Sequence, residues 1–179
     1  SYRGMYVPSQ EAMLGLHLMA KWGEGKVTHV ESVAALDKMV DTGQLSHNAP
    51  VIVKEVGDKP TTFGRLRIAS KLPASFGMRQ AILHDPDFAI NKKSNTMALM
   101  TEALAKHHQP DFDKSVNQLK DLGNEHAFKT GFSLGLKDFA VLPQRDAIIE
   151  AAHKKAAHAK STISDKKKQD EAVIDIYNQ

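Results

Sequence analysis

Cysteine is absent from the 179 residues, which excludes disulfides, cysteine-bound zinc, iron–sulfur clusters and thiol catalysis. No stretch approaches the roughly 18 apolar residues that a membrane span needs. The start, Ser1-Tyr2-Arg3-Gly4, has neither an initiator methionine nor the apolar core of a signal peptide. The expectation is therefore a soluble, cytoplasmic protein trimmed or excised from something longer, with no membrane partner. Excess charge is small: 24 Lys+Arg against 21 Asp+Glu leave +3 with nine neutral histidines. That is too little to argue for nucleic-acid binding by this chain alone. Internal repeats and low-complexity segments are also lacking. What remains is a chain long enough to bury a real core in one or two domains, with an α+β composition.

Hydrophobic periodicity and punctuation divide the chain into elements. Ser9 can cap a helix that Glu11 favours, with Met13, Leu14, Leu16, Leu18 and Met19 apolar and Trp22-Gly23 as its end. Gly23-Glu24-Gly25-Lys26 reads as a loop, and 32–40 as a second helix closed by Gly43. The β-rich run 50–56, the turn Gly57-Asp58-Lys59-Pro60 and the run 61–70 predict a β-hairpin, in which Gly64 marks a bulge or a close backbone approach. The pattern over 74–91 is irregular. Helices are expected over 94–106 and 112–122, the latter stopped by Gly123, and 131–136 reads as tight rather than helical. Pro143 opens a long alanine- and lysine-rich helix to about residue 160. A further helix from Ser164-Asp165 makes an antiparallel hairpin with it. The reading is mainly helical α+β with one β-hairpin, ending in a projecting helical hairpin, divided as 1–73, 74–142 and 143–179.

Chemistry-bearing groups are present but form no complete active site. The histidines at 107/108 and 153/158 miss the i,i+4 spacing of a helical metal pair, and a surface role is the expectation for them. Gly23-Glu24-Gly25-Lys26-Val27-Thr28 lacks the spacing and the preceding strand of a phosphate loop. Asp85-Pro86-Asp87 and Asp111-Phe112-Asp113 could supply magnesium carboxylates, or Asp111 or Asp113 could cap the helix that follows, which is the preferred reading. Lys166-Lys167-Lys168, followed by Asp170 and Glu171, fits a solvated helix face. No nucleophile elbow or Ser-His-Asp arrangement occurs.

Three segments in order resemble the largest, β′-type subunit of multisubunit DNA-directed RNA polymerases. Val7-Pro8-Ser9-Gln10-Glu11, with Leu14-Gly15-Leu16 and Met19, is similar to the family's Val-Pro-Ser-Gln-Asp/Glu…Leu-Gly-Leu…Met. Thr61-Thr62-Phe63-Gly64-Arg65, ending at Leu72-Pro73, resembles its Thr-Thr-x-Gly-Arg strand. Gly131-Phe132-Ser133-Leu134-Gly135-Leu136, with Asp138 and Pro143, is similar to its Gly-Phe/Ile-Ser-Ile-Gly-Ile stretch. A weaker fourth piece, Val173-Ile174-Asp175-Ile176-Tyr177, resembles Val-Ile-Asp-Ile-Trp, with Tyr177 in place of Trp and Glu171-Ala172 in place of Asn-Lys.

The resemblance implies a stretch that follows the catalytic barrel and leads into the funnel and rim helices of the channel through which nucleotides enter. It implies that Ser9 and Gln10 face the active centre and that Asp175, Lys154 and Lys155 border the channel. It also implies that no catalytic residue, metal ligand or cofactor site lies here, since the family's Asn-Ala-Asp-Phe-Asp-Gly-Asp loop, which binds catalytic Mg²⁺, stands upstream. In Asp111-Phe112-Asp113, Lys114-Ser115 replace Gly-Asp and the third carboxylate is missing. Partners implied are the other polymerase subunits or β′ segments, with DNA, RNA and nucleoside triphosphates met through the assembled complex. Sparse matches between motifs suggest a distant branch, for which bacteriophage split-subunit polymerases are one home, in the host cytoplasm or the virion. The competing expectation is a free-standing α+β interaction module with a helical docking arm and no catalysis.

Overall fold

Ser9 begins the first helix as expected. Its Oγ accepts the Ala12 N–H at 3.3 Å, satisfying one of the donors a helix start leaves open. The computed structural model describes residues 9–91, 93–138, 150–151 and 153–154. The elements are α1 (Gln10–Ala20), β1 (Thr28–Val30), α2 (Val33–Asp41), β2 (Val51–Val53), α3 (Phe63–Ser70), α4 (Arg79–His84), α5 (Thr96–His107), a 3₁₀ turn (Gln109–Asp111) and α6 (Phe112–Asp138). The mainly helical α+β class holds. No described helix is long and apolar enough to cross a membrane.

The expected β-hairpin does not form. β2 pairs with β1, in parallel, with Thr28 opposite Val51 and Val30 opposite Val53. Parallel strands need a crossover, and α2 supplies it, capped by Ser32 Oγ on the Ala35 N–H at 3.1 Å. The run assigned to the second strand is α3. Thr61 makes one antiparallel bridge to Val51, then Thr62 caps the helix by accepting the Arg65 N–H at 3.2 Å. Arg65, Ile68, Ala69 and Leu72 are all buried, a spacing of three to four that belongs to a helix face rather than a strand.

Two further expectations change. Gly123 does not stop the helix begun at Phe112, and residues 131–136 are helical, because α6 runs on to Asp138. Within the irregular stretch 74–91, α4 forms over six residues. The division at 143 and the terminal helical hairpin fall largely outside the described residues.

The chain separates into two units, Ser1–Phe128 and Lys129–Gln179. In the first, a main core joins Leu16 and Met19 of α1, Ile68 of α3, Ile82 of α4, Met100 and Leu104 of α5, and Leu119 of α6. This core takes residues from both sides of position 73. A smaller cluster, Val30, Leu36, Val51, Val53 and Phe63, fills the space between the β1–α2–β2 unit and α3. In the second unit, Glu150 and Lys154 are helical and pair at 2.7 Å, one turn apart.

Candidate functional site

Three close backbone approaches involve α1. A Cβ on Gly64 of α3 would collide with the carbonyl of Met19 in α1. A Cβ on Gly15 would collide with the Gly123 carbonyl of α6, and one on Gly123 with the carbonyl of Ala12. Glycine is required at each crossing because the helices meet backbone to backbone. Gly64 of the Thr-Thr-Phe-Gly-Arg segment thus meets α1 at Met19, Gly15 of the Leu-Gly-Leu segment meets α6 at Gly123, and α1 is held between α3 and α6.

Arg65 locks the same junction from inside. Its side chain is fully buried. Nε donates to the Ala20 carbonyl at 2.5 Å, Nη1 to those of Ile82 and Asp85 at 2.9 and 2.8 Å, and Nη2 to that of Phe88 at 2.7 Å. Ala20 ends α1, and Ile82 and Asp85 lie at the end of α4, so the cation satisfies open carbonyls at two helix C-termini. The Trp22 and Phe88 rings lie 5.3 Å from the guanidinium carbon. Burial pushes the Arg65 pKa down to about 10, partly opposed by the nearby Asp85 carboxylate. Nothing in the sequence distinguishes Arg65 as buried; only its place in the Thr-Thr-x-Gly-Arg pattern sets it apart.

Ser9 and Gln10 sit at the exposed start of α1. Besides capping, Ser9 Oγ donates to Asn124 Oδ1 of α6 at 3.3 Å. This ties the start of α1 to the residue beside the Gly123 crossing. Gln10, the first residue of α1, leaves its carboxamide at the surface. Lys154 is exposed and paired with Glu150; Lys155 and Asp175 lie outside the described residues.

Of the other chemical candidates, Asp85 has a structural role. Asp85 Oδ1 accepts the Asp87 N–H at 2.9 Å, closing a turn around Pro86. Asp111 ends the 3₁₀ turn and Asp113 lies in the first turn of α6; both are exposed. Among the described residues, no three Asp, Glu, His or Cys side chains converge as a metal would need. The surface expectation for the histidine pairs needs correction at His108, which is half-buried with its ring 5.9 Å from that of Phe76. His17 Nδ1 meets the Ile90 carbonyl at 2.8 Å, His84 Nδ1 meets that of Pro60 at 2.9 Å, and the His47 ring lies 5.4 Å from Phe63 and 5.0 Å from His126. These rings are half-buried and join loops to helices.

The chain is similar over most of its length to the β′ subunits of bacterial DNA-directed RNA polymerases. It is 36 % identical over 63 residues to the β′ subunit of Enterococcus faecalis, covering 35 % of this chain and 5 % of that one. To the β′ subunit of Campylobacter lari it is 29 % identical over 161 residues, 86 % of this chain and 10 % of that one. To that of Kocuria rhizophila it is 25 % identical over 201 positions, 96 % of this chain and 15 % of that one. The chain therefore spans only a small part, 5 to 15 %, of these relatives. No family model matches it.

Proposed function

We propose that this chain is a segment, or a split-subunit piece, of the β′-type subunit of a DNA-directed RNA polymerase from a divergent branch, acting in transcription. It frames the active centre and the channel for nucleotides, while another segment or chain holds the metal. The observation that carries this reading is the similarity to β′ subunits along most of the chain. The physical coherence of the matching motifs supports it, since Gly15, Gly64 and Arg65 serve a single junction around α1. The reaction served is nucleotidyl transfer, in which metal ions orient and charge-stabilise an in-line displacement at a nucleoside triphosphate. In this reading Ser9 and Gln10 face that centre from the start of α1, with Gln10 offering both a donor and an acceptor. Lys154, Lys155 and Asp175 border the channel, and the partners are the remaining polymerase chains, with DNA, RNA and nucleotides reached through them.

Affinity purification from the native source, followed by primer extension, tests the reading. The chain should travel with a polypeptide bearing the three-aspartate loop, and pure chain should extend no primer. In the assembled enzyme, Gln10→Ala should lower turnover, whereas Asp111→Ala with Asp113→Ala should leave turnover intact. Template-dependent synthesis by the chain alone, or loss of turnover in a normally assembled Asp111/Asp113 variant, would overturn it. A monomer indifferent to polymerase chains would favour a free-standing interaction module instead.

A further inference from the structure

Away from the α1 junction, a cleft of about 460 Å³ opens between the loop after β2 and helix α4. Its walls are of two kinds. Val56 contributes the exposed apolar surface, with Leu83 buried behind it, while Lys59 and Arg79 contribute cations and His84 an imidazole; Asp58 is the carboxylate among them. Arg79 is held in place, because its Nη1 donates to the Ala69 carbonyl at 2.6 Å. That bond uses one edge of a guanidinium whose fork suits a phosphate. His84 is fixed by its Nδ1 contact to the Pro60 carbonyl, which also ties the loop to α4 across the cleft. Among the described residues neither Lys59 nor Arg79 has an ion-pair partner. Two cations without an ion-pair partner among the described residues and a fixed imidazole thus line one cleft.

We propose that this cleft binds a small molecule carrying a phosphate group, with Lys59 and Arg79 holding the phosphate and exposed Val56 receiving the organic part. The cleft is open to solvent, and its volume far exceeds what phosphate alone would fill. The proposal does not rest on the polymerase reading.

The test titrates the full chain, followed by amide chemical shifts, with inorganic phosphate and separately with phenyl phosphate, against sodium chloride at equal ionic strength. Both phosphates should give saturable shifts confined to 56–59 and 79–84, with phenyl phosphate binding more tightly than inorganic phosphate. Lys59→Ala, a change at an exposed side chain, should weaken phenyl phosphate by about tenfold, the worth of one charge-assisted hydrogen bond. Asp58→Asn should tighten it several-fold by removing a like charge, a gain that damage to folding cannot mimic. Arg79→Gln should weaken it further still. Shifts that chloride reproduces, or affinity unchanged in both Lys59→Ala and Asp58→Asn, would overturn the proposal. Equal affinity for the two phosphates would overturn the role of the apolar wall and identify inorganic phosphate as the ligand.

Discussion

Arg65 shows how one polar side chain can serve a hydrophobic core. Four backbone carbonyls surround it, two helices end on it, and burial has already drawn its pKa down to about 10. Lysine at this position would bring three donors on a flexible stem and could not span the same carbonyls. Arg65→Lys should therefore cost roughly 3 kcal/mol, and Arg65→Met at least as much, because buried acceptors would be left unsatisfied. Urea denaturation would measure this as a lower midpoint at unchanged slope. The pH dependence follows from linkage. The folded-state pKa is lowered, so the unfolded chain holds the proton more readily only above about pH 9, and this group's stability term rises with pH only there. Between about pH 5.5 and about pH 8.5 the cost of Arg65→Met should stay constant. A cost that vanished at either end would mean that another titrating group, not the carbonyl cage, sets it.

At the scale of elements, the glycines carry more of the fold than the strands do. Ordinarily Gly→Ala inside a helix stabilises by about 1 kcal/mol. At Gly15 and Gly123 the obstructing atoms are backbone, which cannot rotate away, so overpacking should outweigh that gain and destabilise by about 1–3 kcal/mol net. Gly77, where a Cβ meets nothing within 4 Å, is the control and should change by less than about 0.5 kcal/mol. Equal effects at all three positions in thermal or urea melts would contradict the crossing geometry. The same residues explain what the sequence could and could not reveal. Ser9 announces its helix because a cap is a local signal, complete within four residues. The sequence suggests a hairpin because β-branched Thr61 and Thr62 beside a turn resemble a strand. The actual partner of β2 is β1, reached across α2, and such a pairing leaves no local trace. Gly123 reads as a stop because glycine commonly ends helices. Its purpose here is a crossing with an element more than a hundred residues away, which only the folded chain reveals. Of the candidate site, the cap at Ser9 was legible, but its tie to Asn124 and the burial of Arg65 were not.

At the scale of the whole molecule, both apolar clusters draw all their buried residues from positions 16–122. The first unit, ending at Phe128, thus contains the main core, the β1–α2–β2 cluster, the three glycine contacts and the Arg65 cage. At 128 residues it is of ordinary single-domain size, large enough for one core to offset the entropy of ordering the chain. The fragment 1–128 should therefore fold without 129–179. It should show one cooperative urea transition, with a slope of roughly 1–3 kcal/mol per molar, and the near-ultraviolet circular dichroism expected of a fixed Trp22 beside Arg65. Arg65→Met in this fragment should lower the midpoint as it does in the full chain, because every carbonyl partner of Arg65 lies before residue 89. A fragment with helical far-ultraviolet signal but no near-ultraviolet signal, binding hydrophobic dye and melting without a cooperative step, would be a loosely packed state. That result would mean the junction around α1 depends on chain beyond Phe128, and the folding unit drawn from the buried residues would be wrong.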